Sequence, residues 1–138
     1  MIEQEQLHWS NQARPMQAPD RTRPRMTLAL VLYMWICGVT GLALVCVFWP
    51  SPFLLAGLLA VDAALMLSVR RSAADVVLLA FCGAFGAVAE SFGIATGAWT
   101  YTVPLAAGVP IWLPFIWGIA ALFVKEISLQ IQFVTGQM

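Results

Sequence analysis

The amino-acid sequence predicts an all-α protein, a bundle of four transmembrane helices with both termini in the cytoplasm. Hydrophobic residues make up 61% of the 138 residues, and charged residues only 10%. Soluble domains contain about 45–50% apolar and about 25% charged residues, so this chain has too few polar side chains to cover a surface in water. Four long apolar segments, separated by prolines, arginines or glycines, are typical of an integral membrane protein.

The first 26 residues are expected to form a flexible cytoplasmic tail, because they are polar and interrupted by prolines. The apolar segment at 27–49 follows and contains no charged residue. At ~1.5 Å per residue it is long enough to cross the ~30 Å hydrocarbon layer. The apolar core of a cleaved signal peptide is shorter. The segment therefore predicts a membrane anchor. The tail carries four basic residues just before it: Arg14, Arg21, Arg23 and Arg25.

Three further helices complete a transmembrane domain of residues 27–138. The Pro-Ser-Pro sequence at 50–52 predicts a tight turn, because proline cannot continue the hydrogen-bond ladder of a helix. The Arg70-Arg71 pair ends the second helix, and a polar and aromatic connector occupies about 95–108. The expected bounds of these helices are about 52–69, 73–95 and 109–133.

The basic residues predict the orientation. All arginines flank the first helix or lie between the second and the third, and positive charge beside a span stays on the cytoplasmic side. Four spans place every arginine on that side and place the connector outside. Five aromatic residues then fall near the outer interface, where amphipathic rings settle: Trp49, Phe53, Trp99, Tyr101 and Trp112.

Glu90 is the most informative ionisable residue, because such a group costs about 2.5–3.5 kcal/mol near the centre of a bilayer. Small residues share its helical stripe and let another helix approach closely, so we expect Glu90 to point into the bundle. There it is a candidate general acid. An equally weighted alternative is a structural clasp, in which Glu90 is hydrogen-bonded to Trp99, to Tyr101 or to the connector backbone. The expected helix-packing glycines are Gly83, Gly86, Gly93 and Gly97.

Other ionisable residues have less distinctive surroundings. Asp62 is expected about 15 Å below the outer end of its helix, close to the midplane. It either hydrogen-bonds across helices, for example to Ser68 or Thr40, or handles protons. Lys125 and Glu126 are interpreted as a pair at the inner interface, with side chains that extend to the lipid headgroups.

Composition also bounds the chemistry. The three cysteines lie in apolar segments and the single histidine lies in the polar tail, so we expect no metal site and no cofactor. There is no Gly-rich phosphate loop or nucleophile elbow, and no basic patch large enough for nucleic acid. The expected partners are membrane lipids, with a homo-oligomer or a larger membrane complex as alternatives.

Two motifs on either side of the connector resemble a known family. The first reads E-x-x-G-x-x-x-G-x-W-x-Y from Glu90 to Tyr101, and the second reads G-V-P-x-x-x-P-x-x-W from Gly108 to Trp117. Together they resemble the signature of the carotenoid hydratase family, typified by bisanhydrobacterioruberin hydratase. The layout is also similar to short four-helix bacterial membrane-protein families of unknown function, which imply architecture only.

The hydratase resemblance implies roles for particular residues. Glu90 would donate a proton to an isoprenoid double bond, and aromatic faces would stabilise the resulting carbocation. Hydratase-type proteins are longer and have more helices, so this chain either lacks part of the pocket or dimerises. The residues expected to bind ligand are Asp62, Trp99, Tyr101 and Trp117.

The sequence therefore predicts a small protein of the bacterial inner membrane, with a lipid- or isoprenoid-binding pocket around Glu90 near the outer leaflet. The first alternative is an acid-catalysed hydratase or cyclase of a polyene lipid. The second is a non-catalytic subunit of a larger complex, docking through small residues near Gly38 and Gly41. The last is a proton-coupled carrier that uses Asp62 and Glu90.

Overall fold

The computed structural model describes residues 28–136, and all regular secondary structure within them is helical. Each of the four α-helices is long and apolar enough to cross a membrane, which confirms the all-α class and the number of helices. The tail at 1–26 lies outside the described residues. In chain order the helices are α1 (Leu28–Phe48), α2 (Pro52–Arg70), α3 (Ala73–Ala95) and α4 (Leu113–Val134), with a 3-10 turn at Ala106–Gly108 between the last two.

A proline marks the start of α2, and a residue in the left-handed conformation marks its end. Pro52 lies in the first turn of α2, where its missing N–H has no helical partner to lose. Arg71 ends the same helix in the left-handed conformation, at φ 46°, and its amide donates to the Leu67 carbonyl at 3.0 Å. These local features place the two short turns at opposite ends of α2, so α1, α2 and α3 run alternately up and down.

The fourth helix begins at Leu113, later than the expected start near 109. Ala107 and Gly108 both have positive φ, at 53° and 82°, and turn the chain. The Leu105 amide then donates to the Val109 carbonyl at 3.0 Å, which closes a loop around the turn. Pro114 in the first turn of α4 is compatible with a helix start there and not with a helix interior.

Three helices share the core, and α3 lies at the side. α1, α2 and α4 contact one another, whereas α3 packs against α4. The most buried apolar side chains are those of Leu55, Leu59 and Ile119. Most of the α3 surface is exposed and apolar, including Phe81 and Phe92. Such a surface fits the hydrocarbon of a bilayer, and together with the four spans it describes a multi-pass membrane protein.

The contact between α3 and α4 depends on residues without side chains. A Cβ atom on Gly83 would fall against the Pro114 carbonyl, and one on Gly118 would lie 2.7 Å from the Leu79 carbonyl oxygen. Gly86 leaves room for the ring of Trp117. Small residues at such positions let helix backbones pack closely, and in lipid this packing replaces the hydrophobic driving force.

We predict that Gly83→Ala lowers the free energy of unfolding by about 1–3 kcal/mol, the usual range for an overpacked contact. The added methyl group meets a backbone carbonyl, which cannot rotate away as a side chain can. Gly57→Ala is the matched control, because a Cβ at Gly57 meets nothing within 4 Å and should change stability by less than about 1 kcal/mol. Unfolding of both variants in detergent micelles measures the difference. Equal stabilities would show that the α3–α4 contact does not need Gly83.

Candidate functional site

Glu90 joins the end of α3 to the connector. Its Oε2 atom accepts a hydrogen bond from Trp99 Nε1 at 2.8 Å and another from the Tyr101 hydroxyl at 3.0 Å. The carboxyl is partly buried. We call these three residues the Glu90 clasp. The arrangement is the clasp alternative of the sequence analysis, with both aromatic partners engaged on the same oxygen.

Two glycines allow the chain to reach back to Glu90. Gly97 has a φ of 75°, a conformation that L side chains rarely adopt, and it turns the chain after α3 ends. Gly93 leaves space for the Trp99 indole, because a Cβ there would overlap the ring. Gly97 was expected to pack between helices, but a Cβ there would meet nothing within 4 Å. It serves the turn instead.

Tyr101 is held on two sides. Its hydroxyl donates to Glu90, and its ring lies 6.1 Å from that of Trp112, at an interplanar angle of 89°. Edge-to-face geometry of this kind is favourable for aromatic pairs. Burial raises the pKa of the Tyr101 phenol from 10.0 to about 12, and the hydrogen bond and negative charge of Glu90 act in the same direction. Tyr101 therefore keeps its proton and donates a hydrogen bond to Glu90 over the whole physiological pH range.

A groove of about 300 Å³ opens beside Tyr101, between the end of α1 and the connector. Tyr101 belongs to both features, since its hydroxyl contacts Glu90 and its side chain lines the groove. Glu90 itself does not line it. No lining residue carries a charge. The groove residues are Val45, Cys46, Trp49, Thr100, Tyr101, Thr102, Val103, Pro110 and Trp112.

Of the four expected ligand-binding residues, only Tyr101 lines the groove. Trp99 contacts Glu90 instead, and the other two lie elsewhere. Asp62 is buried on α2, with its carboxyl against Gly41 of α1. Trp117 lies on α4 against Gly86 and is 41% exposed. Neither lines the groove. The clasp thus brings together Glu90, Trp99 and Tyr101, and the expectation of a single site that also includes Asp62 and Trp117 is not met.

Sequence reasoning missed part of the groove wall. Cys46 was interpreted as apolar filler, and Trp49 and Trp112 as interface anchors, yet all three line the groove. These three residues come together only because α1 packs against the connector, and no local sequence pattern predicts that contact. Aromatic residues at the ends of two different predicted spans were the only available signal.

The basic and acidic residues near the other end of α4 also differ from expectation. Lys125 pairs with Asp75 at the start of α3, and Glu126 is buried, with 2% of its surface exposed. The two residues were expected to extend together to the interface. They point in different directions because they are adjacent on a helix, where neighbouring residues do not share a face. The ion pair ties α3 to α4 at the end opposite the clasp.

No metal centre is found within residues 28–136, where no three His, Cys, Asp or Glu side chains converge. Comparison of the chain with protein-family models, with curated proteins and with solved structures finds no match. The resemblance to carotenoid hydratases thus stays a prediction, and function has to be argued from the clasp and the groove.

We predict that Tyr101 ionises near pH 12 in the folded protein. The protein has two tyrosines, so Tyr33→Phe leaves Tyr101 as the only one, and its ultraviolet titration can be followed directly. Glu90→Gln in this background removes the negative charge and should move the midpoint down towards 10. Because the folded-state pKa is the higher one, the unfolded chain loses its phenol proton first, and stability should decrease between about pH 10 and pH 12. A midpoint near 10 before the Glu90 change would contradict the hydrogen-bonded, partly buried phenol.

Proposed function

We propose that this chain is a lipid-binding integral membrane protein that holds a lipid or isoprenoid in the groove beside Tyr101. The observation that supports the proposal is a groove lined by aromatic residues, one of which, Tyr101, is held in place by the Glu90 clasp. Ligand sites are usually concave, mostly apolar and largely preformed, with few polar groups. The groove has these properties, and its volume of about 300 Å³ lies at the lower end of the ~300–1,000 Å³ range.

The chemistry of the wall fits an apolar chain with a small polar end. Trp49, Trp112 and Val45 supply apolar surface, and the threonines of the connector supply hydroxyl groups. The Tyr101 hydroxyl is already engaged by Glu90, so it positions the ring more than it binds the ligand. The ligand would lie between the end of α1 and the connector, which together supply the lining residues.

The proposed orientation places this groove at the outer face of a bacterial inner membrane. The turn at Arg71 and the ion pair of Lys125 with Asp75 lie at the opposite end of the bundle. Arginines beside spans stay cytoplasmic, which puts both termini inside. Trp49 and Trp99, both exposed, then fall at the outer interface, where indole rings are enriched.

The clasp geometry favours ligand binding over acid catalysis. Glu90 accepts two hydrogen bonds on one oxygen, an arrangement that stabilises a carboxylate. A general acid must instead present a proton to its substrate. The Glu90 carboxyl contacts the Tyr101 hydroxyl but is not among the residues that line the groove. A hydratase or cyclase would therefore need the clasp to open before Glu90 could reach a double bond.

The alternative of a non-catalytic subunit assumed a docking face around Gly38 and Gly41 of α1, and that face is not free. A Cβ on Gly38 would fall on the ring of Phe123, and one on Gly41 would lie 3.1 Å from Asp62 Oδ2. The small residues of α1 are thus covered by α2 and α4 of the same chain. Association through another surface is left as a less supported proposal.

We predict that filling the groove reduces the lipid that co-purifies with the protein. Cys46→Trp places an indole among the lining residues, whereas Val47→Trp, one position along α1, places it on a surface that is 65% exposed. Both changes add similar bulk to the same helix end. Mass spectrometry of lipid extracted from the two purified variants and the unmodified protein makes the comparison.

The expected result is a loss of one specific lipid class from Cys46→Trp and its retention in Val47→Trp. Identical lipid composition in all three proteins would count against a ligand site in the groove. Loss from both variants would indicate a general effect of bulk at the end of α1, and would equally contradict the proposal.

A further inference from the structure

A buried carboxyl group in the middle of the bundle is not explained by the groove. Asp62 lies near the centre of the 19-residue α2, and only 4% of its surface is exposed. Its Oδ2 atom is buried and has no hydrogen-bond partner. The absent side chain of Gly41 lets this oxygen lie against α1, since a Cβ there would be 3.1 Å away. Three helices therefore enclose a polar atom that local contacts leave unsatisfied.

The surroundings of Asp62 do not suit an ionised carboxylate. From α1, the groups that face it are the Cys37 thiol, within hydrogen-bonding reach, and more distantly the Tyr33 phenol. From α4, Ile116 and Ile119 lie beside the same Gly41 position that Asp62 approaches, and α3 packs mainly against α4. No basic side chain in the described residues contacts it. A thiol is a weak donor, and a buried charge without a partner is costly. The neutral acid avoids that cost.

Polar side chains continue from Asp62 towards the Arg71 end of the bundle. The Cys37 thiol lies within interaction distance of the Tyr33 phenol, one turn away on α1. The Tyr33 hydroxyl donates to the Leu65 carbonyl at 3.0 Å, and the Ser68 hydroxyl donates to the same oxygen at 2.7 Å. Ser68 is exposed. We call this series the relay row: Cys37, Tyr33 and Ser68.

Within residues 28–136, no such row is found towards the groove end. On α2, the residues on the Asp62 face in that direction are Leu59 and Leu55, each with 0% of its surface exposed. Apolar, close-packed side chains offer neither water nor hydroxyl groups to carry a proton. Access to Asp62 is thus one-sided.

We propose that Asp62 binds an exchangeable proton in the membrane core and that the relay row connects it to the Arg71 end. In the forward step, Asp62 gives its proton to Cys37 Sγ as the thiol passes its own to the Tyr33 oxygen. Tyr33 then turns its hydroxyl from the Leu65 carbonyl to the Ser68 oxygen and passes its proton there, while Ser68 releases its own hydroxyl proton to water. One proton leaves and one negative charge stays on Asp62, so no oxidant or further reactant is needed. The site takes a hydrogen ion and is separate from the lipid groove.

Infrared spectroscopy of the full chain in lipid nanodiscs tests proton binding. A protonated carboxyl has a carbonyl band that a carboxylate lacks. We expect this band at neutral pH in the unmodified protein, its loss in Asp62→Asn, and its retention in Asp75→Asn. Should Asp62→Asn fail to fold, carbon-13 labelling of the three aspartates in the unmodified protein must shift the same band. Absence of any protonated aspartate band at neutral pH would overturn the proposal.

Deuterium exchange of the same band tests the route. In heavy water the band shifts as the proton is replaced, and we expect Tyr33→Phe and Cys37→Ala each to slow this shift by about tenfold, because a hydrogen-bonded step is lost. Cys82→Ala, a change of the same kind on α3 outside the row, should leave the rate unaltered. Equal rates in all three variants, or slowing by Cys82→Ala as well, would overturn the assignment of the row as the path.

Discussion

The hydrogen bonds from Trp99 and Tyr101 to Glu90 are the interaction on which the groove depends. The connector has no regular structure from 96 to 105, so its side chains have to hold much of it in place over the bundle. A single carboxylate oxygen holds two of them, at 2.8 and 3.0 Å from its two donors. Hydrogen bonds to an ionised acceptor are about twice as strong as neutral ones, and aromatic donors bring large rigid surfaces with them. The clasp therefore positions the ring that forms one wall of the groove.

The clasp has this effect because α3 is itself held rigidly. Its glycines bring it against the backbone of α4 at one level, and the Lys125 ion pair ties it to α4 at the other end. In the described residues, α3 packs mainly against α4. The position of Glu90 relative to the groove is therefore set by the packing of α3 on α4. Trp112, which lines the groove, directly precedes α4, so α4 fixes both ends of the connector.

The helices could be predicted from the sequence because a bilayer demands about 20 apolar residues in each span, and this signal is local. The clasp could also be predicted, because Glu90, Trp99 and Tyr101 lie within twelve residues of sequence at the end of one helix. Other features could not be predicted. The positive φ of Ala107 lengthens the turn before α4, and an alanine gives no sequence signal for that conformation. The partner of Lys125 and the separation of Asp62 from Glu90 depend on the rotation of each helix about its axis. The sequence does not determine that rotation, because small residues occur on more than one face of α3.

The measurement that tests the clasp most directly is the indole N–H signal of Trp99 in nuclear magnetic resonance spectra of tryptophan-labelled protein. The chain has six tryptophans, which limits the spectrum to a few signals that single substitutions can assign. A donor to a carboxylate should give a shifted signal that exchanges slowly with water. On Glu90→Ala, this one signal should move towards the position of a free indole and exchange faster, while the signal of Trp35, bonded to Gln130, stays unchanged. A Trp99 signal that does not respond to the loss of Glu90 would contradict the account.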